Sequence, residues 1–361
     1  VTINYRLGAF GFLDLSGAGD PKYASAANCG LLDQIAALQW VKQYIDRFGG
    51  DPDGVTVFGE SAGGISISCL LACPQARGLF RRAISMSGPP SMVRSREFAR
   101  SVTEKLMRFA RVDSAEKLAM LPTAKLLAAQ EKTIRSADFL GELLYAPTID
   151  GDVLPKPPLH AIQAGSAADV TLLTGTTLDE ARLWSLYNPI LRILPLGTLG
   201  RWFQSLGLDP RAVRAAYRQA RPHAVEEPMI FGNLDANGAK YMIGDRPEQL
   251  ADREAFSRAM QRAWAAFART GDPTHTDLPD WPTYDVVGRA TMILSRKPCV
   301  ENDPLSSIRR TWDELPFDGV HPTCEEMPQI ADITRYLAVR GAIGLAAAVL
   351  VGAATWLWLV R

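Results

Sequence analysis

A mostly parallel α/β sheet flanked by helices is the fold class this sequence predicts, and three observations predict it. Apolar runs and helical periodicity alternate through residues 1–90 in the order strand, turn, helix, strand. That order calls for parallel pairing with crossover helices. A serine flanked by small residues stands where one of these strands turns into a helix. A further strand-like run, Asp169 to Gly175, returns after a long helical interval.

Val1-Thr2-Ile3-Asn4-Tyr5 reads as a buried strand. The sequence is therefore expected to begin inside a domain, with any leader peptide beyond its start. From Leu31 to Arg47, Leu31, Ile35, Leu38 and Val41 share a helix face. Phe48-Gly49-Gly50-Asp51-Pro52 stops that helix. Val55 to Phe58 is a short strand, Ala62 to Leu71 a helix, and Arg82 to Met86 another strand. Between about residues 91 and 146 the spacing of Phe98, Val102, Leu106 and Phe109 predicts a helical insertion. A helical stretch bearing Arg and Trp is expected after Gly175, to about Tyr217. Arg253 to Thr270 is a helix ended by Gly271-Asp272-Pro273, and the remainder to about Asp318 reads as Pro-rich and irregular. Residues 1–330 are expected to form one domain.

The far end differs in kind. Gly341 to Val360 has no charged residue, and Arg340 and Arg361 bracket it. At 1.5 Å per residue such a helix spans roughly 30 Å, the thickness of a bilayer's hydrocarbon. Trp356 and Trp358 sit near one end, where interfacial aromatics are favoured. A transmembrane helix over 338–361 is the expectation, and with it a membrane-attached protein of the secretory route or the cell surface.

Composition narrows the function classes. With 47% hydrophobic residues, 22% charged and zero formal net charge, nothing attracts nucleic acid as a partner. The five cysteines are odd in number and match no zinc knuckle or disulfide framework; Cys69 and Cys73 read as small apolar residues on one helix face. No His, Asp or Cys cluster has ligand spacing, and no glycine loop suits phosphate, so no metal or organic cofactor is expected.

The chemistry centres on Gly59-Glu60-Ser61-Ala62-Gly63, between a strand and a helix. A serine at such an elbow occupies a strained backbone conformation, and Gly59 and Gly63 are expected to relieve crowding around it. The helix that follows aims its first amides at the reacting carbonyl, which makes the Ala62 amide an oxyanion donor. Glu60 reads as a buried structural carboxylate.

Several further runs accompany this motif in order: Asn4-Tyr5-Arg6-Leu7-Gly8, Gly30-Leu31-Leu32-Asp33-Gln34, Phe48 to Pro52, Gly78-Leu79-Phe80, Ser87-Gly88 and Trp281-Pro282-x-Tyr284. Together they closely resemble the type-B carboxylesterase/cholinesterase family, densely over Val1 to Pro90 and collinearly to about Pro304. The resemblance implies an α/β-hydrolase fold and hydrolysis of a small-molecule carboxylic ester by a Ser, Glu, His triad. It implies Glu180 as the acid, in Gly175-Thr176-Thr177-Leu178-Asp179-Glu180-Ala181. It implies His223 as the base, since Glu226, Pro228 and Phe231-Gly232 follow it at the family's spacing. His160 precedes Glu180, while His275 and His321 read as surface residues. Ser87 falls where the family has a serine near the triad and is expected to bond Glu180.

Two departures set an alternative beside the esterase. No His-Gly-Gly run is present to complete the oxyanion hole, and the interval from Glu180 to His223 is much shorter than the resemblance implies. The alternative expectation is a catalytically impaired carboxylesterase-like module that binds or adheres. Substrate identity and oligomeric state are not encoded in any motif.

Overall fold

In the computed structural model, residues 1–18, 21–136, 144–177, 226–234, 249–295 and 297–313 are described. Helices α1 (Gly8–Gly11) and α2 (Cys29–Tyr44) lead into strand β1 (Thr56–Glu60), and helix α3 (Ala62–Ala72) follows directly. After β2 (Arg82–Met86) come α4 (Arg96–Ala110), α5 (Ala115–Ala119), α6 (Thr123–Arg135) and α7 (Pro158–Gln163), and then β3 (Thr171–Gly175). Helices α8 (Glu226–Phe231) and α9 (Leu250–Thr270), strands β4 (Ala290–Ile293) and β5 (Cys299–Asn302), and helix α10 (Ser306–Asp313) complete the order.

Strands β1, β2 and β3 form one parallel sheet in that order, with Glu60 opposite Met86 and Met86 opposite Gly175. As the middle strand, β2 is covered on both faces, so after the half-buried Arg82 its residues, Ala83 to Met86, are all buried and apolar or small. Ala83 packs with Leu31 and Ile35 of α2 and with Ile67, Leu70 and Leu71 of α3. Ile84 and Met86 point the other way, onto Met229 and Ile230 of α8 and Met260 and Phe267 of α9. Helices α4 and α5 start on hydroxyl caps, Ser95 accepting from the Phe98 amide and Ser114 from the Lys117 amide. Leu106, Leu118 and Ala129 then join α4, α5 and α6 over Ala9 and Leu13.

Asn28, at the start of α2, ties that helix to the segment ahead of α7. Fully buried, it donates to the Thr148 carbonyl at 2.7 Å and the Asp150 carboxylate at 2.8 Å, and accepts from the Thr148 amide at 2.9 Å. Truncating it strands two buried acceptors and one buried donor. Asn28→Ala is expected to cost about 2–4 kcal/mol, read as a lowered denaturant midpoint with an unchanged m-value.

Two expectations are corrected. Val1 to Tyr5 is not a buried strand: no strand among the described residues pairs with it, and Val1 is 80% exposed. Alternating apolar residues supply a strand's side chains, but only cross-strand hydrogen bonds make the strand. Arg6 holds this segment instead. Its backbone amide and guanidinium Nε donate to Asp33 Oδ2 at 2.9 and 2.8 Å, and its Nη2 to Oδ1 at 2.6 Å. The pair draws the Asp33 pKa below its ordinary value, chiefly through the side-chain hydrogen bond from Arg6. A depressed carboxylate stabilises above its unfolded pKa of ~3.9 and loses that contribution as pH falls through the lower folded value. Because the pair is partly exposed, Asp33→Asn is expected to cost only about 1 kcal/mol at pH 7. That difference should shrink toward zero in acid unfolding titrations below pH ~3.

The second correction concerns the stretch after Gly271, which holds an antiparallel β4–β5 pair and α10 rather than irregular chain alone. Pro298 and Pro304 flank β5 and read as breakers, and the mixed Cys-Val-Glu-Asn run between them shows no apolar pattern; pairing with β4 defines it. The helical stretch expected from residue 178 to about 217, and the membrane helix expected over 338–361, lie outside the described residues. Among the described residues no helix is long and apolar enough to cross a membrane.

Candidate active site

Ser61 sits where β1 ends and α3 begins, at φ 52° and ψ −115°. Positive φ in a serine costs of order 1–3 kcal/mol and persists only where the surroundings impose it. Here they do: the Ser61 amide donates to the Met86 carbonyl on β2 at 2.9 Å, and the Ser61 carbonyl accepts from the Ile65 amide at 2.9 Å. The hydroxyl is not spent on capping the helix. Ala62, the first helical residue, is exposed, so the positive end of α3 is open to an incoming anion. Glu60 closes β1 and is half-buried rather than fully buried.

Close backbone packing holds the elbow. A Cβ on Gly59 would lie 2.6 Å from the Gly63 carbonyl carbon, so β1 and the first turn of α3 nearly touch. Around Gly63 itself the expectation fails, because a Cβ there would meet nothing within 4 Å. The second crowded contact is one residue on, where Gly64 of α3 meets Gly88 just after β2. A Cβ on Gly88 would fall 2.2 Å from the Gly64 carbonyl carbon. Two hydroxyls bracket that contact: Ser85 donates to the Gly64 carbonyl at 3.2 Å and Ser68 to the Gly88 carbonyl at 3.0 Å.

Ser87 is buried and also has positive φ, 50°, and its amide donates to the Gly175 carbonyl of β3 at 2.8 Å. It stands one residue beyond the Met86 carbonyl that accepts from Ser61. The structure thus brings Gly59, Glu60, Ser61, Ala62, Gly63 and Ser87 to the carboxyl ends of β1 and β2, where open parallel sheets place their sites. Glu180 and His223 lie outside the described residues.

His275 is corrected. Its side chain is largely buried, its Nδ1 accepts from the Asp277 amide at 3.1 Å, and its Nε2 therefore carries the proton and donates to the Ala259 carbonyl at 2.9 Å. It fastens a loop onto α9 instead of standing on the surface. A cleft of about 640 Å³ nearby is lined by Phe256, Arg258, Arg262, Asp277, Leu278 and Lys297 among others, and Ser61 is not among them. Arg262 is paired with Asp277 and Arg258 with Glu254. The Gly64–Gly88 contact and its two serines went unread in the sequence; Gly-Gly after the elbow and Gly after β2 were the available signal.

A serine in a strained strand-to-helix elbow, on a parallel sheet with crossover helices, defines the class of the α/β-hydrolases. The comparisons narrow this further. The family model described as "Carboxylesterase family" matches residues 1–191. Para-nitrobenzyl esterase of Bacillus subtilis (strain 168) is 37% identical, over 86% of this chain and 72% of that protein. Cholinesterase of Mus musculus is 37% identical, over 79% of this chain and 58% of its own length. The crystal structure of the Geobacillus stearothermophilus carboxylesterase EST55 superposes with a TM-score of 0.77 at 35% identity, covering 86% of this chain and 74% of that one. The chain belongs to the carboxylesterase family, as a serine carboxylesterase-type hydrolase.

Proposed function

We propose that the chain hydrolyses small carboxylic esters through an acyl-enzyme on Ser61, with His223 as general base and Glu180 as its orienting acid. The observation that carries this reading is the backbone of Ser61, held at positive φ between β1 and α3 with its hydroxyl left free of the helix cap. Strain of this kind is maintained where a side chain must be presented for chemistry. His223 and Glu180 are assigned from the family's chain order and spacing, as read in the sequence.

In the first half-reaction Ser61 Oγ bonds to the ester carbonyl carbon as His223 takes its proton, and Glu180 stabilises the imidazolium. Charge gathers on the carbonyl oxygen, toward which the Ala62 amide and the positive end of α3 are directed. The intermediate collapses by breaking the bond to the alkoxy group, which leaves with the proton from His223. Water then repeats the sequence on the acyl-enzyme, releasing the carboxylic acid and restoring Ser61. Ser87, buried beside β3, is read as a hydrogen-bonding support for Glu180.

Treatment of the full chain with a fluorophosphonate probe tests the assignment. Covalent labelling on Ser61, absent from Ser61→Ala, is the expected result; a folded chain that takes no label at Ser61 overturns it.

A further inference from the structure

The Gly64–Gly88 contact leaves two backbones in touch with no side chain between them. Close approach alone would let α3 slide or rotate over β2, since van der Waals contact between glycines has little direction. Two hydroxyls supply that direction. Ser85 on the strand donates to Gly64 in the first turn of the helix, and Ser68, one turn along the helix, donates to Gly88 after the strand. The two bonds run in opposite senses, strand to helix and helix to strand. Both serines are buried, at 3% and 5% exposure, so neither hydroxyl has water as a ready alternative. Gly64 lies two residues beyond Ala62, and α3 begins immediately after Ser61.

We propose that Ser68 and Ser85 are positioning residues for the nucleophile elbow, fixing the first turn of α3 against β2 so that the Ser61 hydroxyl and the Ala62 amide keep a constant geometry. This rests on the reading of Ser61 as nucleophile. The reacting atoms never touch either serine; both act through the helix. Positional error is what the pair suppresses, and an error of about 1 Å at a reacting centre costs up to ~10²-fold in rate.

The test uses the full chain as Ser68→Ala, Ser85→Ala, the double variant, Ser68→Thr, which keeps the hydroxyl, and Ser61→Ala. Each is assayed with p-nitrophenyl acetate and by hydrogen exchange at the Ile65 amide, the first to close onto the Ser61 carbonyl, with α9 as internal reference. The double variant should lose about tenfold in kcat with KM within about twofold. Exchange at Ile65 should quicken while α9 keeps its protection, and Ser68→Thr should stay near the parent. If the double variant folds with kcat and Ile65 exchange unchanged, the proposal is overturned. So too if exchange quickens equally throughout α9, since the serines would then be supports of the whole fold. Should the single variants alone fold, the same two readings on them decide. A parent no faster than Ser61→Ala overturns the nucleophile assignment instead, and the exchange measurement still judges the strap.

Discussion

Ser61→Ala is expected to lower kcat/KM for a small ester by ~10⁴-fold or more while leaving the fold intact. Removing a nucleophile that works as a unit with its base eliminates the covalent route entirely, and what remains is binding and the oxyanion contact. The structural side of the prediction is as specific as the kinetic one. The Ser61 side chain makes no capping bond to α3, so its loss breaks no hydrogen bond in the helix. The thermal midpoint of Ser61→Ala should therefore match the parent's. Ser61→Gly separates strain from chemistry, because glycine adopts φ 52° without a Cβ penalty. That variant should be equally inactive yet more stable by ~1 kcal/mol, part of the 1–3 kcal/mol that such a conformation stores. A folded Ser61→Ala protein retaining more than a tenth of parental kcat/KM contradicts the assignment. Equal stability of the glycine and alanine variants contradicts the strain.

How much of this was legible before the structure depends on whether the cause was local. The elbow was legible because its cause is local: a short apolar strand, a glycine at Gly59 where strand and helix nearly touch, and a helix opening at Ala62. Strands β2 and β3 were legible too, since a strand buried on both faces, or returning after a helical insertion, leaves a run of apolar residues. Val1 to Tyr5 misled because the same run without a paired neighbour is only an exposed segment. His275 misled for a related reason. A histidine in a Gly-Asp-Pro loop looks exposed until α9, remote in its own pattern, offers the Ala259 carbonyl as partner. Gly63 and Gly64 show the finest limit. Adjacent glycines after Ser61 both announce crowding, but which of them is crowded depends on where Gly88 comes to rest after the remainder of α3, a loop and another strand.

Gly88→Ala is expected to be the most destabilising single substitution in the sheet region, costing more than ~4 kcal/mol or preventing folding. Its added Cβ would sit 2.2 Å from the Gly64 carbonyl carbon and 2.3 Å from the Gly64 Cα. Both are backbone atoms, so no rotamer change can make room; α3 would have to lift off β2 and carry Ser61 with it. The same contact approached from the other side predicts a severe effect for Gly64→Ala, whose Cβ would lie 2.8 Å from Gly88 Cα and from the Met86 carbonyl oxygen. That carbonyl is the acceptor for the Ser61 amide, so this variant should lose activity even where some of it folds. Gly63→Ala is the matched control. One residue away in the same helix turn, its Cβ would meet nothing within 4 Å, and alanine's better helix propensity should raise stability by up to ~1 kcal/mol. Urea unfolding of the three variants reads out the difference directly. If Gly63→Ala and Gly64→Ala shift the midpoint alike, the crowding at the elbow is not the Gly64–Gly88 contact. Opposite shifts would locate it there, in two backbones touching beneath Ser61.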